Sequence, residues 1–157
     1  MPRTRQRLSA AQLAAWTRLL HAHSALTRAL ERQLKDEHGL TLSDYDVLVQ
    51  LAQAPGRRLR PAELARVVLL TRSGVTRLVQ GLEHAGLVER VACPEDQRGS
   101  LVRLTAHGRA VLRHASRTHL DGVRELFGER FDETELRTLA QLLDRVLDDP
   151  EPIPAPG

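Results

Sequence analysis

Between Thr71 and Thr105 the sequence sets an amphipathic run, a glycine and two short apolar stretches in immediate succession, and few folds accept that order. In TRSGVTRLVQGLEHAGL, residues 71–87, Val75, Leu78, Val79 and Leu82 recur at steps of three and four, so they form one stripe of a helix facing a core. Thr71 is placed to cap that helix and Gly86 to close it. Leu87 to Ala92 and Leu101 to Thr105 then read as strands joined by a polar tip that carries Asp96, Arg98 and Gly99. Upstream, Pro61 opens a short helix, PAELARVVL, with Glu63 in its first turn where the helix field favours an acid. Short helix, tight turn, second helix and hairpin is the order of a winged helix-turn-helix.

The outer face of the second helix gives that order a purpose. Opposite its apolar stripe stand Arg72, Ser73, Thr76, Arg77 and Gln80, with no acid until Glu83. A solvated helix face ordinarily mixes both signs of charge, because such pairs support the helix. Guanidinium, hydroxyl and amide groups are instead what bonds phosphates and base edges in a major groove. A hairpin beside such a helix lies over the backbone or the adjacent minor groove, which attracts an inserted arginine, and Arg98 is the side chain so assigned. Asp96 holds the tip by hydrogen bonds within it, and Arg103 on the second strand joins the cationic set. The competing reading of the tip is a solvated turn whose Asp and Gly serve only its geometry.

Charge distribution agrees. Residues 56–105 hold nine arginines against five acids, whereas the whole chain of 157 residues is only +3, so the positive charge gathers where a polyanion would dock. Lys35 is the only lysine, and guanidinium suits bidentate contact with phosphate or guanine. Aromatic residues make up 3%, so the core must be built from Leu, Val and Ala.

The flanks read as helices. From Ser9, a candidate N-cap, Leu13, Trp16, Leu19, Leu20, His23, Leu26, Leu30 and Leu34 recur at helical spacing to about His38, with Gly39 as the stop. A second helix runs from Ser43 to about Ala54, with Ser43 and Asp46 in capping-box spacing and Pro55-Gly56 ending it. Arg58 to Arg60 form a very short strand. Arg60 stands where a capping hydroxyl is usual, which predicts a helix start weaker by about 1 kcal/mol. Helices also cover Ala106 to about Gly128 and Asp132 to about Asp149, the last with Leu136, Leu139, Leu142, Leu143, Val146 and Leu147 on one face. Residues 1–8 and 150–157 read as flexible tails. The first and last helices carry more apolar surface than a lone winged helix covers, so they are assigned to a second copy of the chain; the alternative is an intrachain bundle. Paired recognition helices about 34 Å apart read successive major grooves.

Asp96-Gln97-Arg98 with Leu104-Thr105, preceded by LTRSGVTRLVQGLEHAGLVER, resembles the MarR (multiple antibiotic resistance regulator) family, from the long first helix to the two C-terminal ones. The resemblance implies one domain over residues 1–157, mainly α with a small β-hairpin. Residues 41–105 would be the winged helix-turn-helix, and 9–40 and 106–149 the dimerisation helices. It implies a homodimeric regulator, usually a repressor, that binds a pseudopalindromic operator in double-stranded DNA and is released by a small ligand or an oxidant. Ser73, Thr76, Arg77 and Gln80 match the recognition positions, Arg98 the wing arginine and Asp96 the acid that positions the wing. Arg60 departs from the family's capping hydroxyl. Trp16, Tyr45 and Asp46 are placed to line a pocket for a small aromatic effector between the dimer helices and the DNA-binding lobe; the competing reading is core packing.

Other classes find less support. No nucleophile elbow, P-loop or metal motif appears, so neither an enzyme nor a cofactor is expected. His107, His114 and His119 are spaced seven and five apart, which does not suit zinc on a helix. Cys93 is the only cysteine, which excludes an intrachain disulfide and fits a reducing cytoplasm, and only nearby Arg90 marks it for a redox role. A metal- or redox-sensing regulator of the same fold therefore stays as an alternative, as does a winged-helix protein-interaction module. No run reaches the roughly 18 apolar residues of a membrane span, and no apolar segment follows the basic start as in a signal peptide.

Overall fold

Helix α1 covers Ala10–His38 and is capped at both ends by residues chosen for the purpose. The Ser9 hydroxyl accepts from Gln12 N–H at 3.2 Å while Ser9 N–H donates to Gln12 Oε1 at 2.8 Å, a reciprocal box that satisfies two otherwise orphaned donors. Gly39 ends the helix at φ 67, in the left-handed region. The computed structural model describes residues 7–68, 72–93 and 96–147, with the side chains of residues 72 and 96–98 outside that description.

Helix α2 spans Leu42–Gln53, and its cap corrects the sequence reading. Thr41, not Ser43, is the N-cap: its hydroxyl accepts from Asp44 N–H at 3.0 Å, and the Asp44 carboxylate accepts Thr41 N–H at 2.8 Å. The segment TLSDYD contains both capping-box spacings. The earlier start puts Leu42 in the first turn, packed against the core that Val47, Leu48 and Leu51 enter. A 3-10 turn at Pro55–Arg57 leads into β1, Arg58–Leu59. Helix α3, Pro61–Val67, starts as predicted without a side-chain cap from Arg60, although Glu63 accepts Arg60 N–H at 2.8 Å and supplies half of a capping box.

Helix α4 covers Arg72–His84, β2 Val88–Cys93 and β3 Asp96–Leu104. Thr71, the expected cap of α4, lies outside the described residues. Gly86, at φ 71, closes the helix through Leu87 N–H to Leu82 O and Gly86 N–H to Glu83 O, each 2.9 Å. The sheet is antiparallel in the order β1-β3-β2, so the hairpin gains a third strand along β3. Its register is constant from Val88↔Leu104 to Ala92↔Ser100 and slips before Cys93↔Asp96. Strand β3 therefore begins at Asp96 rather than at Leu101, and Arg98 and Gly99 belong to its irregular first part rather than to a free tip.

Thr105 caps α5, Ala106–Leu126, and a second 3-10 turn, Gly128–Arg130, precedes α6, Glu133–Leu147. One core joins these layers: Leu34 of α1, Leu48 and Leu51 of α2, Leu64 of α3, Val75 and Val79 of α4, Val102 of β3 and Ala115 of α5 all belong to it. Helix α6 is different, since none of its described residues is buried. Among the described residues no helix is long and apolar enough to cross a membrane.

Candidate nucleic-acid interface

The core side of α4 fixes what its other side can do. Val75 and Val79 are 1% exposed and Leu82 3%, so the helix cannot rotate without opening the core, and Ser73, Thr76, Arg77 and Gln80 face solvent. Arg77 forms no ion pair among the described residues. The first acid after this face, Glu83, is held by Arg90 of β2, Nε to Oε2 at 3.1 Å. What remains is a cationic, hydrogen-bonding ridge on a rigid backing, beside a three-stranded sheet.

The wing is braced at its root. Thr105 Oγ1 donates toward Gly86 O at 2.8 Å and Leu87 O at 3.0 Å, while accepting Gly108 N–H at 2.9 Å. The threonine of the Leu104-Thr105 pair thus ties the end of α4, the wing and the start of α5 together. Arg103 is less available than its sequence position suggested: its guanidinium bonds Glu89 of the neighbouring strand, 2.9 Å at the shortest, both side chains half-exposed. Arg72, Asp96 and Arg98, assigned to the same interface, have side chains outside the description. Cys93 is buried and its sulfur accepts from Arg60 Nη2 at 3.3 Å, so the cation beside it is Arg60, brought there by the fold, and not its sequence neighbour Arg90.

The effector residues are only partly gathered. Tyr45 and Asp46 line a hollow of about 390 Å³ with Glu31, Leu42, Ser43 and His119, but Trp16 does not and stays 55% exposed. The hollow lies where α1, α2 and α5 meet. The Tyr45 ring packs on His119 with centroids 4.6 Å apart, and its hydroxyl donates to Ser116 Oγ at 3.4 Å. Burial pushes the His119 imidazole below its ordinary pKa, and its Nδ1 has no hydrogen-bond partner among the described residues. Glu31 is held below the usual carboxylate range chiefly by its hydrogen bond from Lys35, 2.9 Å. Sequence reading missed Glu31 and His119 because no spacing links residues 31, 45 and 119; only tertiary packing does. Among the described residues no group of three His, Cys, Asp or Glu gathers to hold a metal.

Large apolar side chains are also left exposed on three helices. Leu13, Trp16, Leu19 and Leu20 of α1, Leu120 of α5, and Leu142, Leu143, Val146 and Leu147 of α6 are all at least 36% exposed. Along α1 and along α6 these residues recur at helical spacing, and a monomer rarely leaves such apolar stripes uncovered.

Comparison with known proteins agrees with this geometry. Residues 38–99 match the family model described as MarR family. The fold superposes on the crystal structure of Sco3205, a MarR family transcriptional regulator from Streptomyces coelicolor in complex with DNA, with a TM-score of 0.86 and 34% identity over 97% of this chain and 96% of that one. The transcriptional regulator PrsX of Escherichia coli is 31% identical over 63% of this chain, and the match spans 60% of that protein's own length. The transcriptional repressor YetL of Bacillus subtilis is 30% identical over 69% of this chain and 66% of its own length.

Proposed function

The chain belongs to the MarR family of transcriptional regulators, which are DNA-binding proteins and not enzymes, and from that premise we propose that it acts as a homodimeric, ligand-responsive repressor on a pseudopalindromic operator. The observation that carries the proposal is the exposed, acid-free face of α4, Ser73, Thr76, Arg77 and Gln80, backed by a core that prevents it from turning. In a major groove, Arg77 meets guanine edges or phosphate and Gln80 meets adenine. The root of the wing at Thr105 holds β2 and β3 against the helix, so that Arg98 follows the adjacent backbone or minor groove. Arg103 acts only by exchanging Glu89 for a phosphate, which ranks it below Arg77.

A second copy covers the exposed apolar faces of α1 and α6. Two-fold pairing presents two α4 helices to one duplex and gives the operator its symmetry. The effector site is the Tyr45–His119 hollow, between the DNA-binding lobe and the helices that pair, with Trp16 belonging to the dimer face instead. A ligand filling it pries α2 from α5 and changes the distance between the recognition helices. The carboxylates of Glu31 and Asp46 lining the hollow favour a neutral or cationic aromatic compound over a phenolate.

The test is base preference. Arg77→Ala or Gln80→Ala is expected to relax discrimination at one base pair of each half-site by about 1–3 kcal/mol, measured by competition between single-substituted duplexes. Unchanged preference and unchanged affinity in both variants would place the recognition surface elsewhere.

A further inference from the structure

A hollow roomier than the one beside Tyr45 lies away from both it and α4. It is a notch of about 560 Å³ where the end of α2 and the turn after it meet the first two turns of α5, lined by Ala52, Arg57, Ala106, Arg109, Leu112 and Arg113. Three of those six residues are arginines and none is acidic. Arg109 and Arg113 stand one turn apart on α5, a like-charge pair that works against the helix unless something compensates it. Arg57 adds a third guanidinium from the facing turn, at φ 54, a left-handed backbone that non-glycine residues adopt at a cost.

Arginines 90, 103, 124 and 137 each have a carboxylate partner, whereas other exposed arginines, Arg77 among them, have none among the described residues. Arg57, Arg109 and Arg113 form no ion pair among the described residues. The 21-residue α5 begins at the notch with no acid in its first turn, so the helix field adds to the same sign of potential. Ala52 and Leu112 supply an apolar floor. A concave, partly apolar hollow with convergent guanidinium forks is the form of a small-ligand site, and its size lies within the usual range.

We infer that this notch binds a small organic or inorganic anion carrying at least two negative charges, phosphate or carboxylate, held between Arg57 and the Arg109–Arg113 pair. Operator DNA is the less suitable anion. Arg58, next to Arg57, pairs with Arg103 at the root of the wing, and strand rise puts the far end of β3 at Asp96 roughly 20 Å away. The notch thus sits at the end of the sheet remote from Cys93 and Asp96. Because Arg57 belongs to the DNA-binding lobe and Arg109 and Arg113 to a helix that continues toward the dimer face, an anion clamped there fixes one against the other. That consequence rests on the proposed regulator function, whereas anion binding does not.

The test is isothermal titration of the full chain with pyrophosphate and, separately, citrate, at constant ionic strength. Saturable binding of one anion per chain is expected for at least one probe, and the one that binds identifies the class. An Arg109→Gln/Arg113→Gln double variant and Arg57→Gln, each checked for unchanged helical circular dichroism, are expected to weaken it at least tenfold, while Arg77→Ala leaves it unchanged. No saturable binding of either probe, or equal binding by the notch variants, overturns the inference. So does a loss of DNA affinity in the notch variants measured without any added anion, which would assign these arginines to the DNA interface. Should the chain fail to bind DNA at all, the calorimetric result still decides.

Discussion

Gly108→Ala is expected to destabilise the protein by about 2 kcal/mol, even though alanine is the better helix former. A Cβ at this position of α5 would lie 2.1 Å from Leu87 O and 2.8 Å from Leu104 Cδ1. Leu87 O cannot simply move, because it accepts Thr105 N–H at 3.1 Å and the Thr105 hydroxyl at 3.0 Å at the root of the wing. Forcing atoms into a packed junction costs about 3 kcal/mol. Helix propensity returns about 1 kcal/mol. For a chain of this size the difference corresponds to a melting temperature lower by roughly 4–8 °C. Gly122→Ala is the control: its Cβ would meet Gln33 Oε1 at 2.1 Å and Leu30 Cδ2 at 2.9 Å, the movable ends of side chains, and the loss there is expected to be smaller. Thermal unfolding by circular dichroism separates the two, and equal losses would mean that the wing root is not a rigid junction.

The second large effect concerns α6. Leu142→Asp with Val146→Asp is expected to leave the chain folded, since no residue of α6 is buried within it, yet to convert the protein to monomers in sedimentation. Each carboxylate would have to be desolvated at a paired surface, at a cost of several kcal/mol. Losing the pairing removes the second half-site from every binding event, and avidity of that kind is worth about 100-fold or more in affinity. DNA affinity should fall by that factor while circular dichroism stays near native. A variant that remains dimeric would show that the apolar faces of α1 and α6 are covered by something else.

Much of this was legible in the sequence because local signals and tertiary packing point the same way. Val75, Leu78, Val79 and Leu82 could face only a core, which left Ser73, Thr76, Arg77 and Gln80 to solvent, and Gly39 and Gly86 stop their helices where left-handed backbone is needed. The start of α2 was misplaced by two residues because TLSDYD offers two capping boxes of the same spacing, and the chain uses the first, Thr41 with Asp44. The length of β3 was underestimated because its first residues are polar and its register slips, so alternation carries no signal there. Glu31 with His119, Arg60 with Cys93, and the three arginines of the notch each join elements far apart in sequence, which periodicity cannot report. Trp16 was grouped with Tyr45 for being aromatic, whereas the fold keeps it on the open face of α1.

The claim on which the account depends is that two copies set their α4 helices into one duplex. The direct measurement is a titration of the unmodified chain with its selected operator, recovered from random duplexes, at a series of salt concentrations and with the half-sites moved apart by half a helical turn. Two chains per duplex are expected, with affinity falling linearly in logarithmic salt as counterions are released, and falling again when the half-sites are moved out of phase. One chain per duplex, or an affinity indifferent to both salt and half-site spacing, would contradict it.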